Sequence, residues 1–254
     1  MTRSPNLGLP GVALTRRRRR GGDGVSVGPG VTETVYLHYL EDPNDNANYP
    51  NVATNNRGGA VSDSTRKLFG LNTSRFTNDL YCDIGQKESD WNLFRSNGAT
   101  QQCLEFWCMI DPSYSSTGTI LSGYKYSNSG RYWELEMTGG NEFLFSIYTF
   151  RGSNSSRKSL WSTPTGAYQG NWVHVCFQRD GDRGAMFANG VVGSDVTTSH
   201  RADDVGNNNP IGLGATLNDR DEPTANFAQL RYSEGALYPW EGFAPPEAPF
   251  PVPA

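Results

Sequence analysis

Along much of this chain the apolar residues recur at every second position, in short runs broken by turn-forming residues. That period of two is the mark of strands with one face buried. Near the start, Val35, Leu37 and Tyr39 alternate with Tyr36, His38 and Leu40. QCLEFWCMID, residues 102–111, sets Leu104, Phe106, Cys108 and Ile110 against Cys103, Glu105, Trp107 and Met109. Both sets are largely apolar, which predicts a central strand covered on both sides. RYWELEM (131–137) and EFLFSIYTF (142–150) flank Thr138-Gly139-Gly140-Asn141 and predict a hairpin, with Trp133, Leu135 and Met137 on one face and Glu134 and Glu136 on the other. NWVHVCFQRDG (171–181) turns Val173, Val175 and Phe177 inward, then returns through Asp180-Gly181 as AMFA and leaves through Asn189-Gly190. Asn-Gly between two such runs is the strongest short-range hairpin signal. Shorter candidates are Leu68 to Phe69, Leu80 to Ile84, 210–215 and 226–235. No stretch of ten or more residues has helical periodicity, and no segment repeats. The pattern predicts an all-β chain.

The two ends differ from this middle. Residues 1–30 are rich in Gly, Pro and Arg and predict an extended arm, and residues 245–254 hold too much proline for a strand interior and predict a tail laid across a surface. Between them, residues 31–244 form the expected body. Charge follows the same division. The arm has six Arg (Arg3 and Arg16 to Arg20) against Asp23, whereas the rest of the chain has 16 basic residues against 25 acidic ones. A basic arm on an acidic body points to attachment through the arm. Neither a membrane span nor the apolar segment of a secretory signal is apparent. Composition fits a β domain with a thin, ring-filled core: 12% of residues are aromatic, with 29 Gly and 15 Pro. The cysteines, Cys82, Cys103, Cys108 and Cys176, match no metal spacing. Cys103 and Cys108 fall on opposite strand faces, so the expectation is buried, reduced thiols, as in a reducing cytoplasm.

Several of these runs together resemble a known family. Trp172, His174 and Val175, then Arg179-Asp180-Gly181, then Phe187-Ala188-Asn189-Gly190 resemble the hairpins of laminin-G-like (concanavalin A-like lectin/glucanase) domains. LEFWCMID before them and FAQLRYSEGALYPWEGFAPPEAPFP after them extend the resemblance over about residues 31 to 250. The ending, with Leu230-Arg231, Gly235, Tyr238 and Phe243-Ala244-Pro245-Pro246, resembles such domains in tailed-phage structural proteins, from which it departs at Gln229 and Trp240. The resemblance implies a two-sheet antiparallel jelly-roll sandwich.

Because the family also includes glucanases, catalysis is the first chemistry to weigh. Retaining glycosidases need two carboxylates about 5–5.5 Å apart, and the family presents acids at alternate positions of one strand. Glu134 and Glu136 come nearest, but position 138 is Thr, so the two are read as solvated glutamates and His174 as a packing residue. No Gly-x-Ser-x-Gly elbow is present. No catalytic residue and no cofactor are expected. Glu41, Asp42, Asn44, Asp45 and Asn46 in one loop, and Asp219, Asp221 and Glu222 in another, are oxygen-rich in the way of Ca²⁺ loops without EF-hand spacing. Solvated loops with no metal are expected there. Ring platforms for a glycan would be Tyr124, Tyr126, Trp161 and Tyr168. Arg16, Arg17, Arg18, Arg19 and Arg20 suit an acidic protein surface better than nucleic acid, since no aromatic residues are interleaved for base stacking.

Two functional expectations follow. One is a non-enzymatic virion protein of a tailed phage, a capsid decoration subunit made in the host cytoplasm and anchored to the capsid protein by its arm. The other is a tail-fibre or receptor-binding module that recognises host surface glycans. A homo-oligomer is compatible with either, and a membrane partner with neither. Changing Arg16 to Arg20 all to Ser should lower loading onto the partner while moving the body's Tm by only a degree or two. Salt titration of loading checks the same point, since the attraction of exposed charges is screened beyond a Debye length of about 8 Å.

Overall fold

The computed structural model describes residues 34–41, 55–56, 60–77, 82–87, 101–123, 129–139, 141–151, 154–198, 210–214, 223–235 and 237–252. In these the chain is all β, as the alternation predicts. The strands are β1 (Thr34–His38), β2 (Asn55–Asn56), β3 (Val61–Leu68), β4 (Leu71–Phe76) and β5 (Cys82–Lys87). Then follow β6 (Gln101–Ile110), β7 (Gly118–Gly123), β8 (Ser129–Thr138), β9 (Glu142–Arg151) and β10 (Asn154–Ser162). The last are β11 (Val173–Asp180), β12 (Arg183–Ala188), β13 (Val191–Thr197), β14 (Pro210–Leu213) and β15 (Ala225–Glu234).

They make two antiparallel sheets. The eight-stranded sheet runs β13-β12-β11-β6-β15-β4-β3, with β1 also paired to β15, and the seven-stranded sheet runs β10-β9-β8-β7-β14-β5-β2. Strands far apart in sequence become neighbours, as β6 does between β11 and β15, which is the crossing pattern of a jelly roll. Between the sheets lies one large apolar cluster. β6 gives it Leu104, Phe106, Cys108 and Ile110, β8 gives Trp133, Leu135 and Met137, and β11 gives Val173, Val175 and Phe177. The predicted hairpins are present: β8 pairs with β9, β11 with β12 and β12 with β13. At the last turn Asn189 and Gly190 both have positive φ, at 49° and 73°, as a two-residue hairpin turn requires.

At one side the sandwich is sewn shut. Ser194 of β13 donates through its hydroxyl to the Ser162 carbonyl of β10 at 3.2 Å and accepts from the Ser162 backbone N–H at 2.5 Å. The Trp161 indole N–H donates to the Val196 carbonyl at 3.1 Å. Gly193 makes this approach feasible, because a Cβ there would collide with the Ser162 carbonyl oxygen and the backbone of Thr163 and Pro164. Each sheet therefore protects an edge of the other from foreign strand pairing. Gly193→Val should force the two edges apart and cost about 1–3 kcal/mol, as overpacking does. Ser194→Ala, which removes hydrogen bonds alone, should cost about 1 kcal/mol; urea unfolding of the two variants checks the ranking.

Candidate functional site: two outer faces

Each sheet has an outer face, and the two are finished differently. On the eight-stranded sheet, residues 237–252 form no strand and lie as a strap across the face. Gln178 pins the strap by donating to the Tyr238 carbonyl at 3.1 Å and accepting from the Tyr238 N–H at 2.9 Å. Further along, the Phe243 N–H donates to the Gly190 carbonyl at 3.0 Å, and Gln229 accepts from the Phe250 N–H at 3.1 Å. Tyr39 donates to the Phe250 carbonyl at 2.7 Å.

Beneath the strap lies a carboxylate with no exposure to solvent. Glu105 accepts from Arg231 through Nε at 2.9 Å and Nη2 at 2.6 Å, both on one oxygen. Its other oxygen meets His174 Nε2 at 2.9 Å and accepts from the Tyr238 hydroxyl at 2.9 Å. Burial by itself would raise the Glu105 pKa, but the Arg231 charge, with His174 beside it, holds it below the ordinary carboxylate range. Burial likewise pushes the Tyr238 phenol up, so it stays a neutral donor. Register is what brings the ion pair together. A bulge in β15 between Ala228 and Arg231 places Gln229 at φ 53° and sets Arg231 opposite Glu105. Rings close the site: Tyr238 stacks on Phe243 at 3.8 Å, His174 meets Phe243 edge-on, and the Arg231 guanidinium lies 4.1 Å from the centre of Phe250. Glu105, His174, Arg231 and Tyr238 are all buried, so this is a structural knot closed to solvent.

The outer face of the seven-stranded sheet carries none of the three apolar clusters found among the described residues. Because Trp133, Leu135 and Met137 point into the core, Glu134 and Glu136 point out. Cross-strand register puts Ser122, Glu134 and Ser146 in one row, with Gly212 opposite Ser122. A bulge between Thr119 and Leu121 buries Ile120 and Leu121 side by side in the core. It leaves Thr119 outward, where its hydroxyl donates to Glu134 at 2.8 Å. Glu134 is 7% exposed, which corrects its reading as a solvated glutamate; the Thr119 bond and the flanking strands enclose it. Ser146 is fully buried, and among the described residues its hydroxyl has no hydrogen-bond partner.

Of the residues singled out in the sequence, Trp161 is a correction. It is fully buried against Phe145 and Phe177, so it is a core residue and no ring platform. Tyr168 is half-buried, donates to the Pro164 carbonyl and packs on Phe143. Tyr124, Tyr126, Arg16 to Arg20 and both oxygen-rich loops apart from Glu41 lie outside the described residues. Among the described residues no three His, Cys, Asp or Glu side chains come together as a metal site, and no helix is long and apolar enough to cross a membrane.

The family can now be stated. The model of the concanavalin A-like lectin/glucanases superfamily (Laminin_G_3) matches residues 87–241, more than half of the chain. The chain belongs to that superfamily. No curated protein matches the sequence. Solved structures similar to this domain include botulinum neurotoxin type C, whose cell entry depends on interaction with two ganglioside molecules (12% identity, TM-score 0.58, 81% of this chain and 49% of that one). Another is the binding domain of Paraclostridial Mosquitocidal Protein 1 (15% identity, TM-score 0.56, 81% and 50%). A third is domain 4 of AbnA, an extracellular arabinanase from Geobacillus stearothermophilus, in complex with arabinotriose (16% identity, TM-score 0.51, 82% and 96%). The chain spans about half the length of the toxin structures, 49% and 50% in these two cases. Identities this low show the fold.

In this lectin-like domain the Glu105 knot has a measurable signature. Arg231→Met should cost about 3–5 kcal/mol, since it strands a buried carboxylate. The double change Glu105→Leu with Arg231→Met should cost much less. Glu105 has a depressed folded pKa, so its contribution is fully present above the unfolded value of about 4.3. That contribution disappears as pH falls through the folded value. Stability measured from pH 6 downward should therefore fall more steeply in the wild type than in the double variant.

Proposed function

We propose that this chain is a non-catalytic glycan-binding module that holds its ligand on the outer face of the seven-stranded sheet. The observation behind it is the Ser122–Glu134–Ser146 row, in which Glu134 keeps 7% exposure as the group a ligand would meet first, and the buried Ser146 hydroxyl behind it has no partner among the described residues. Sugar hydroxyls both donate and accept, so a carboxylate flanked by hydroxyls is a natural partner for them. The company the fold keeps supports the reading: one similar structure holds arabinotriose and another depends on gangliosides for cell entry.

Against catalysis stands the sequence of β8, where Glu134 and Glu136 are followed by Thr138. Glu134 is also engaged by Thr119, and hydrolysis with retention needs two free carboxylates. Receptor binding by a tail fibre suits a glycan-binding module directly. A capsid-decoration role, with residues 1–30 as the anchor on a virion, has the charge division of the chain behind it. No protein compared above is a virion protein.

Immobilised arabino-oligosaccharides and ganglioside headgroups, offered to the full chain, test the proposal. Binding should be measurable, and Glu134→Gln should weaken it roughly tenfold, the worth of one charge-assisted hydrogen bond of about 1.5 kcal/mol. No reducing sugar should be released. Failure to bind any glycan would overturn the reading, and turnover abolished by Glu134→Gln would overturn its non-catalytic part.

A further inference from the structure

Under the strap, next to the Glu105 knot, two cysteines face each other. In the β6–β11 ladder Cys103 stands opposite Gln178 and Cys176 opposite Glu105, so the two thiols are diagonal neighbours. Their sulfurs are 3.5 Å apart, and both side chains are fully buried. Cys108, on the other face of β6, belongs to the core between the sheets. Beside the pair on the same sheet face lie Ala185 and Phe187 of β12, and Tyr238 of the strap packs with them, joined by Trp240 and Phe243.

We propose that Cys103 and Cys176 are a latent disulfide pair, closed by exchange with a low-molecular-weight disulfide such as oxidised glutathione, and that strap 237–252 controls access to them. In the first step a protein thiolate attacks oxidised glutathione, forming a mixed disulfide and expelling one glutathione thiolate. In the second, the other cysteine's thiolate attacks the protein sulfur, forming the Cys103–Cys176 bond and expelling the second. The two protons lost by the cysteines end on the two glutathione thiols, and the two electrons reduce the glutathione disulfide.

The structure sets both the partner and the control. Starting from 3.5 Å, closure to an S–S bond of about 2.05 Å asks the sulfurs to approach by about 1.5 Å, and the diagonal placement asks β6 and β11 to shift slightly together as the bond forms. No other described cysteine is within reach of either on this face. While the strap is seated, burial pushes both thiols up, and the Glu105 charge adds to it, so the attacking thiolate is scarce. Lifting the strap admits both water and oxidant. The bond would close a loop whose ends are 73 residues apart, long enough to stabilise the fold by limiting the unfolded chain.

The full chain is incubated with oxidised glutathione, quenched with an alkylating reagent, digested without reduction and read by mass spectrometry. Wild type, Phe243→Ala and Cys108→Ser are compared. The Cys103–Cys176 peptide should form about tenfold faster in Phe243→Ala, because local opening of the strap is easier, and at the wild-type rate in Cys108→Ser. Should Phe243→Ala fail to fold, wild type in urea below its unfolding transition supplies the same comparison. The linked form should melt about 5–10 °C higher than the reduced one. Separate glutathione adducts on the two cysteines, with no linked peptide, would overturn the pairing. Equal rates with the strap seated and loosened would overturn its control.

Discussion

A single buried negative charge organises one half of this molecule. Glu105 sits in the middle of the central strand of the eight-stranded sheet, wholly out of solvent. A carboxylate in that position is tolerable only if every lone pair is answered. The answers come from three distant places: Arg231 on β15, His174 on β11, and Tyr238 on the strap. Two of them depend on local irregularities, for Arg231 needs the β15 bulge and Tyr238 needs the strap seated by Gln178. The strap is thus the third layer of the structure on that side, and the charge beneath it makes the layer compulsory. An apolar residue at 105 would pack under many coverings; a glutamate requires this one.

Such a knot also explains the contrast between the two outer faces. Sheet faces of a sandwich either take another layer or meet solvent and ligands. Rings and the ion pair use up the outer face of the eight-stranded sheet, with Arg231 over Phe250 and Tyr238 on Phe243. The outer face of the seven-stranded sheet has Ser122, Glu134, Glu136 and Ser146 in register, with Leu144 opposite Glu136. One face is closed by the chain's own strap, and the other is the face proposed for ligand binding.

How far the sequence announced this depends on the range of the interaction. Strands β6, β8, β9 and β11 were legible because period-two alternation and Gly or Asn turns are local properties. The bulges were not, since a bulge breaks the period that defines a strand: strict alternation would send one of Ile120 and Leu121 inward and the other outward, yet both are buried in the core. Trp161 was misread because polar Ser159 and Ser162 around it hide its inward direction, which the pairing with β9 fixes. Glu105 gave a signal of another kind. It interrupts the second apolar face of β6 between Cys103 and Trp107, and an acid in a covered position demands a cation. That cation, Arg231, lies 126 residues away, a separation that no local pattern bridges.

The same distance effect shapes the candidate ligand face. Thr119 and Glu134 belong to different strands, and only the bulge in β7 brings the hydroxyl within 2.8 Å of the carboxylate. Ser146 looks like an ordinary polar position of a strand until register puts it beside Glu134, buried and without a partner among the described residues. An orphaned hydroxyl costs the folded state on the order of 1–3 kcal/mol. A ligand hydroxyl placed in that row would recover part of that energy on binding. That recovery is the physical basis for proposing ligands with closely spaced hydroxyls over those that offer apolar surface alone.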